Sequence, residues 1–193
     1  MNATAVRTTV LAGEVDNRAA YLGFAFAYVF GHGAAVLSET GLVVMPSWLP
    51  IGFLGAGLLA GTVLAMTASL RAQRAVSPER RRAEKLVGTA WVTGFAALAL
   101  MITALSTVFE KPGLQTVLWP AGATIVVGLT YIAEGAVRRN ALHYNLGTWL
   151  ALVAAATLFV PAPDFFGVLA VLGGGAYAVA AVLEGRRLDS LAA

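Results

Sequence analysis

Residues 49–85 read LPIGFLGAGLLAGTVLAMTASLRAQRAVSPERRRAEK, a long apolar run that ends abruptly in a strongly basic stretch. A helix needs about 20 mostly apolar residues to cross the hydrocarbon core of a bilayer, and residues 49–70 supply that length. Lysine and arginine concentrate in the cytoplasmic loops that flank such helices. The stretch therefore predicts a membrane-spanning helix whose second end faces the cytoplasm.

The composition of the whole chain points the same way. Of its 193 residues, 59% are hydrophobic and 12% are charged, whereas soluble domains average about 45–50% apolar and about 25% charged residues. A chain of this size cannot bury so many apolar residues in the core of a water-soluble domain. A soluble enzyme, a nucleic-acid-binding domain and a disordered chain are therefore excluded. The absence of cysteine also excludes disulfides and cysteine-held zinc or iron–sulfur sites.

Five further segments share the apolar character of residues 49–70. They lack the alternation of a membrane β-barrel, so helices are the remaining way to satisfy the backbone in lipid. We predict an all-α fold of six transmembrane helices, at 19–37, 49–70, 86–109, 116–137, 144–160 and 165–184. The segment 1–18, a single six-helix domain at 19–185 and a tail at 186–193 complete the predicted organisation.

The basic residues predict the orientation. Every lysine and arginine except Lys111 precedes the first segment or follows the second, fourth or sixth. Under the positive-inside rule both termini are then cytoplasmic. The opposite connections are short and rich in proline, which favours three antiparallel hairpins closed on the outside. Tryptophans fall near the predicted interfaces, with Trp48 and Trp119 outside and Trp91 and Trp149 inside.

Glu134 and Glu184 are the first candidate functional residues. An ionisable side chain within a membrane helix is a functional hypothesis by default, with a proton or a cation as its partner. Each glutamate lies about one turn from the predicted cytoplasmic end, precedes a glycine, and has an arginine four or three residues further on. We therefore expect a salt bridge to Arg138 or Arg187, with the side chain reaching the interface.

The two histidines are the next candidates. His32 lies between two glycines in the outer half of the first segment, where it is either a pH sensor or a buried side chain bonded to a neighbour. His143 is predicted to lie in a cytoplasmic connection, so the two cannot face one haem. No metal-ligand cluster, no nucleophile–base set and no pair of carboxylates at one depth is evident. We expect no cofactor, no metal and no enzymatic activity.

Small and hydroxylated residues predict close helix packing. Gly57 and Gly61 have the spacing that lets helices approach, and Gly173, Gly174 and Gly175 form a triplet in the last segment. They pack helices within the chain, line a narrow pore or mediate self-association. Threonines within the spans bond their own helix carbonyls or line a polar solute path.

The basic loop has a topological role and a second candidate role. Arg80, Arg81 and Arg82 could contact anionic lipid head groups. Within the loop, Ser77 has the character of a helix cap and Pro78 that of a first helical residue. The third helix is therefore predicted to begin in the cytoplasm.

Two family resemblances complete the sequence evidence. Residues 145–187 combine an apolar helix, the proline turn PAPD, a glycine–aromatic stretch and a basic end, and residues 95–139 repeat this more loosely around KPGLQTV. This pattern resembles the HdeD-like acid-resistance membrane proteins, which implies a six-helix bacterial protein acting in acid or envelope stress. Residues 17–23, NRAAYLG, are similar to the NPAPLG signature of the acetate-uptake transporters.

From these observations we expect a non-enzymatic membrane protein of HdeD-like type, acting in stress tolerance or as a partner subunit. A channel or carrier for a small solute or anion is the alternative. Polar side chains that face a common axis at matching depths favour transport, whereas an interior of alanine, leucine and glycine favours a scaffold. The expected partners are the lipid bilayer and a second copy or another membrane protein, with no nucleic acid.

Overall fold

A computed structural model describes residues 13–193 of the chain. Every regular element in this range is a helix, so the prediction of an all-α fold is confirmed there. Six helices follow one another: α1 Arg18–Glu39, α2 Leu49–Ala72, α3 Pro78–Val108, α4 Leu114–Arg138, α5 Ala141–Thr157 and α6 Asp164–Ala192. By length and composition, all of them except the 17-residue α5 could cross a membrane.

The helix boundaries follow local capping chemistry. Helix α3 starts at Pro78, and the Ser77 side chain accepts a hydrogen bond from the backbone N–H of Arg80, which confirms the predicted cap. Helix α5 starts earlier than predicted, because the Asn140 side chain caps it by accepting from the N–H of His143. The prediction that His143 lies in a connection is therefore wrong.

The two ends of the chain are described in part. Helix α6 continues to Ala192, so the predicted tail at 186–193 is mostly helical, whereas the last predicted span ended at residue 184. Most of the predicted segment 1–18 lies outside the described residues. Its described part, residues 13–17, leads directly into α1.

The helices form an incomplete ring. Helix α1 packs against α2 on one side and α6 on the other, and α5 links α6 to α4, which in turn packs against α3. Although α2 and α3 are consecutive, their backbones scarcely approach each other within the described part of the chain. The ring therefore has a gap between α2 and α3.

Aromatic side chains fill the centre of this ring. Tyr21, Phe24 and Tyr28 of α1 meet Tyr131 of α4 and Tyr177 of α6, all of them buried. The Tyr28 hydroxyl is 2.6 Å from the hydroxyl of Thr124, which also donates to a carbonyl of its own helix. Own-helix bonds of this kind were predicted for the threonines, and those of Thr67, Thr130 and Thr148 are also present.

Two π-helical turns interrupt α1 and α6 where these helices meet. They cover Ala27–His32 and Leu169–Gly173, and the two turns contact each other. A Cβ added at Gly173 would lie 2.7 Å from the Tyr28 ring, and one at Gly174 would lie 2.6 Å from the Val29 side chain. Gly175, in contrast, has no such neighbour within 4 Å, so it is not a packing contact within the described chain.

Glycines also allow α1 and α2 to lie close together. A Cβ added at Gly57 would lie 2.6 Å from the backbone nitrogen of Ala27, and one at Gly61 would lie 2.6 Å from the Phe24 ring. Such separations are too short for real contacts, so a side chain at either position requires a shift of its neighbour. Gly128 and Gly147 allow the same close approach between α4 and α5, and neither was among the predicted packing glycines.

We predict that Gly57→Ala lowers the stability of the protein by about 1–3 kcal/mol, since the added methyl group overpacks backbone that cannot yield. Gly55→Ala on the same helix is the matched control, because its Cβ meets nothing within 4 Å. The control should be neutral or slightly stabilising, as alanine is the better helix former. Thermal unfolding in detergent measures both changes, and equal midpoints for the two variants would contradict the packing assignment.

Candidate functional site

A cavity of about 710 Å³ occupies the gap between α2 and α3. Its two ends on α2, Leu58 and Gln73, are about 22 Å apart at the helical rise of 1.5 Å per residue. Met66 and Val92 line it and are 61% and 72% exposed, so the cavity also opens sideways between the two helices. The cavity is therefore a long lateral cleft in the bundle.

Polar side chains gather at one end of this cleft, which we call the basic end. There the start of α1, the end of α2, the start of α3, the end of α4 and the start of α5 come together. The polar residues that line the cleft at the basic end are Asn17, Ser69, Gln73, Glu84, Glu134, Arg138 and His143. Towards the opposite end the lining is apolar, apart from the hydroxyl groups of Thr62 and the tyrosines.

Arg138 connects three helices at the basic end. Its Nη1 lies 2.9 Å from Oε2 of Glu134 on its own helix, and its Nε lies 3.4 Å from Oε1 of Glu84 on α3. Its Nη2 donates to the Ser69 hydroxyl of α2 over 3.1 Å. Only 8% of its side chain is exposed, so these bonds replace its hydration. One guanidinium thus ties α2, α3 and α4 together where the helix backbones diverge.

The carboxylate of Glu84 is the second member of this network. It accepts from Gln73 over 3.3 Å and from Arg80 and Arg138 over 3.4 Å, and 3% of its side chain is exposed. Because Glu84 and Glu134 share Arg138, two carboxylates lie at one depth of the bundle. The sequence predicts no pair of carboxylates at one depth, and that prediction is wrong.

A chain of hydrogen bonds leads from Glu134 to α1. Trp91 Nε1 donates to Oε1 of Glu134 over 2.7 Å, and His143 Nε2 lies 3.1 Å from Oε2. The other ring nitrogen of His143, Nδ1, lies 2.5 Å from the Tyr21 hydroxyl. A proton on Nε2 donates to Glu134, and the Tyr21 hydroxyl can pair with Nδ1 as donor or acceptor. Glu134 is thus held inside the bundle, and its reach to the membrane interface stays a prediction.

Aromatic faces flank this network on the apolar side. Trp91 and Phe95 are one helical turn apart on α3, with ring centroids 6.0 Å apart and planes inclined by 6°. Tyr131 meets Trp91 edge-on at 5.9 Å and lies against His143 at 4.1 Å. Trp91 is therefore part of the cleft wall, and its role as an anchor at the inner interface stays a prediction.

Asn17 lies beside the cleft with a buried amide. The residue is 4% exposed, and its amide nitrogen Nδ2 donates to no atom among the described residues. A buried amide without a partner costs free energy. Because this nitrogen is closed off from the cleft, that cost is a local one, and the nitrogen is not a contact for a molecule in the cleft.

Glu184 lies in a second buried cluster. It is fully buried and bonds Arg187 over 2.8 Å, as its i+3 spacing predicted. Arg187 also binds Glu14 over 2.6 Å, and the backbone N–H of Asn17 donates to Glu184 over 3.4 Å. These bonds join residues 14–17 to the end of α6. The cluster is a structural clamp next to the cleft.

The remaining predicted residues lie elsewhere. His32 is buried in the π turn of α1 and stacks on Phe166 at 5.9 Å, away from the cleft lining. Of the three loop arginines proposed as lipid contacts, Arg80 turns inward to Glu84 and Arg81 donates to the carbonyl of Gln73. Arg82 is exposed. Among the described residues no group of three metal-binding side chains is present.

No family model matches the chain, and neither a curated protein nor a solved structure matches it. The candidate site therefore has to be judged from its own geometry.

We predict that Arg138→Met lowers stability by about 3–5 kcal/mol, because it leaves two buried carboxylates without their shared cation. Arg139→Met is the matched control, since Arg139 is exposed and should change stability by less than about 0.5 kcal/mol. Adding Glu84→Gln to Arg138→Met should recover part of the loss, because it removes one unpaired charge. A double-mutant cycle on thermal unfolding that shows no coupling between Arg138 and Glu84 would contradict the network.

Proposed function

We propose that the chain is a bacterial inner-membrane protein in which all six helices cross the bilayer as three antiparallel hairpins with both termini in the cytoplasm. Five helices long and apolar enough for this support the proposal, and the 17 residues of α5 reach the lower limit of a span. The basic end then faces the cytoplasm, since the loop arginines and the end of α6 lie there.

We further propose that the protein binds and carries a small amphipathic organic molecule in the cleft between α2 and α3. The observation that carries the proposal is the cleft itself, a cavity of about 710 Å³ with apolar and aromatic walls and a polar end. Ligand pockets in proteins measure about 300–1,000 Å³ and combine such walls with a few convergent polar groups. The transport alternative requires polar side chains at one depth. The cleft has them at its basic end, from α2, α3, α4 and α5 and from Asn17 before α1.

The lateral opening indicates how the molecule reaches the cleft. The exposed Met66, Leu70 and Val92 would face lipid on either side of the gap, so an apolar body can enter from the bilayer. A polar head group would then meet the network of Arg138 and Glu134 at the basic end. A carrier of this kind needs no catalytic group, which agrees with the expectation of a non-enzymatic protein.

The roles implied by the HdeD-like resemblance, in stress tolerance or as a partner subunit, stay predictions. A scaffold has an interior of alanine, leucine and glycine, and the cleft does not have that character. Of the two expectations from the sequence, the solute carrier is the one that the geometry supports better.

The proposed topology predicts which positions a membrane-impermeant maleimide can label. The chain has no native cysteine, so any labelling comes from the single cysteine that is introduced. In intact spheroplasts Val44→Cys, in the connection between α1 and α2, should be labelled, and Ala193→Cys should be protected. Both should react after permeabilisation. Labelling of Ala193→Cys in intact spheroplasts would overturn the orientation.

Ligand binding is tested by filling the cleft. Ala65→Phe places a ring in the lining, whereas Ala60→Phe on the same helix places it on the exposed surface outside the lining. The probe is 1-N-phenylnaphthylamine, an uncharged fluorescent amphiphile, dialysed against protein in nanodiscs with empty nanodiscs as background. We expect saturable binding that Ala65→Phe weakens about tenfold or more, the loss of about 1.4 kcal/mol of contact, and that Ala60→Phe leaves unchanged. If neither substitution changes the affinity for the probe, the proposed function is refuted.

A further inference from the structure

The cation in the cleft lining has little binding capacity left. Arg138 is the one arginine or lysine among the lining residues that the structure describes. Its Nη1 is engaged by Glu134, its Nε by Glu84, and its Nη2 by both Glu84 and Ser69. An anionic ligand would have to displace one of these bonds. The guanidinium is therefore committed to the protein.

The carboxylates can still accept hydrogen bonds from a molecule in the cleft. A carboxylate oxygen can accept two hydrogen bonds, and Oε1 of Glu134 accepts one among the described residues, from Trp91 over 2.7 Å. The Glu134 side chain is 16% exposed, against 8% for Arg138. The part of the network that a molecule in the cleft can reach is therefore mainly carboxylate oxygen.

The charges around the cleft leave a negative excess at its lining. Glu84 and Glu134 face one guanidinium there, that of Arg138. Arg80 also binds Glu84, but it is not among the residues that line the cleft. The reachable surface therefore favours positive charge.

The aromatic wall has the same preference. Trp91 and Phe95 both line the cleft with their ring planes parallel to within 6°. Trp91 Nε1 contacts the Glu134 carboxylate, and Tyr131 stands edge-on to Trp91. The faces of aromatic rings attract cations, tryptophan most strongly, and this attraction grows when water is excluded. A carboxylate beside stacked aromatic faces is the arrangement that binds an organic cation.

We infer that the molecule carried in the cleft is a monovalent organic cation with an apolar or aromatic body, such as a quaternary ammonium, a phosphonium or an aromatic amine. The inference rests on the proposed function, since it names the substrate class of the same site. Glu134 supplies the countercharge, and Trp91 and Phe95 contact the body.

Tetraphenylphosphonium and tetraphenylborate test this directly, because the two ions share one shape and differ in sign. Binding of each is measured by equilibrium dialysis against the protein in nanodiscs of uncharged lipid. We expect saturable binding of the phosphonium, stronger than that of the borate by about tenfold or more, from one favourable charge interaction at reduced dielectric. Glu134→Gln should weaken phosphonium binding by about tenfold and leave binding of the uncharged naphthylamine unchanged.

Glu79→Gln is the matched control. It removes one negative charge at the basic end from an exposed position outside the lining, and phosphonium affinity should stay within about twofold. Equal or tighter binding of the borate would overturn the inference, as would a Glu134→Gln variant with unchanged phosphonium affinity. The comparison of the two ions on the unaltered protein decides the matter even if Glu134→Gln does not fold.

The two proposals fail in different ways. If the uncharged probe binds saturably and the phosphonium does not, the cation inference is wrong and the proposed cleft function stands. If Ala65→Phe removes binding of neither molecule, the cleft is not the binding site and both proposals fall.

Discussion

A charge buried in a helical bundle must find an opposite charge and hydrogen-bond partners, and in this protein that requirement falls on Arg138. The backbones of α2 and α3 scarcely approach each other, so packing alone does not hold them at a fixed distance. The bonds from Arg138 to Ser69, Glu84 and Glu134 do so instead. The cleft exists because ion pairing closes the ring of helices at one end while the rest of the gap stays open.

The course of the helices could be predicted from the sequence, because hydropathy and capping are local properties. The apolar runs, the cap at Ser77 and the close approach at Gly57 and Gly61 all depend on neighbouring residues or on spacing along one helix. The salt-bridge partners of Glu134 and Glu184 were also predictable, since i+4 and i+3 spacing is a helical property.

The candidate site could not be predicted in the same way, because its members meet only through tertiary structure. Glu84 lies within a run of arginines and lysine, where it has the appearance of a surface residue. His143 was placed in a connection because the cap at Asn140 was missed, and this shift of three residues hid its contact with Tyr21. One feature of the sequence could have indicated that Glu84 is buried: it is a glutamate inside a basic segment at the start of a long helix.

The paired π turns in α1 and α6 affect how these helices should be compared with others. Each π turn accommodates one residue more than an α-helical turn, so side chains beyond it are rotated by about 100° around the helix axis. His32 is the last residue of the α1 turn, so the residues displaced in this way begin at Gly33. A helical wheel drawn through the whole of α1 or α6 would therefore misplace the residues beyond each turn by about 100°, and the two halves of each helix should be aligned separately.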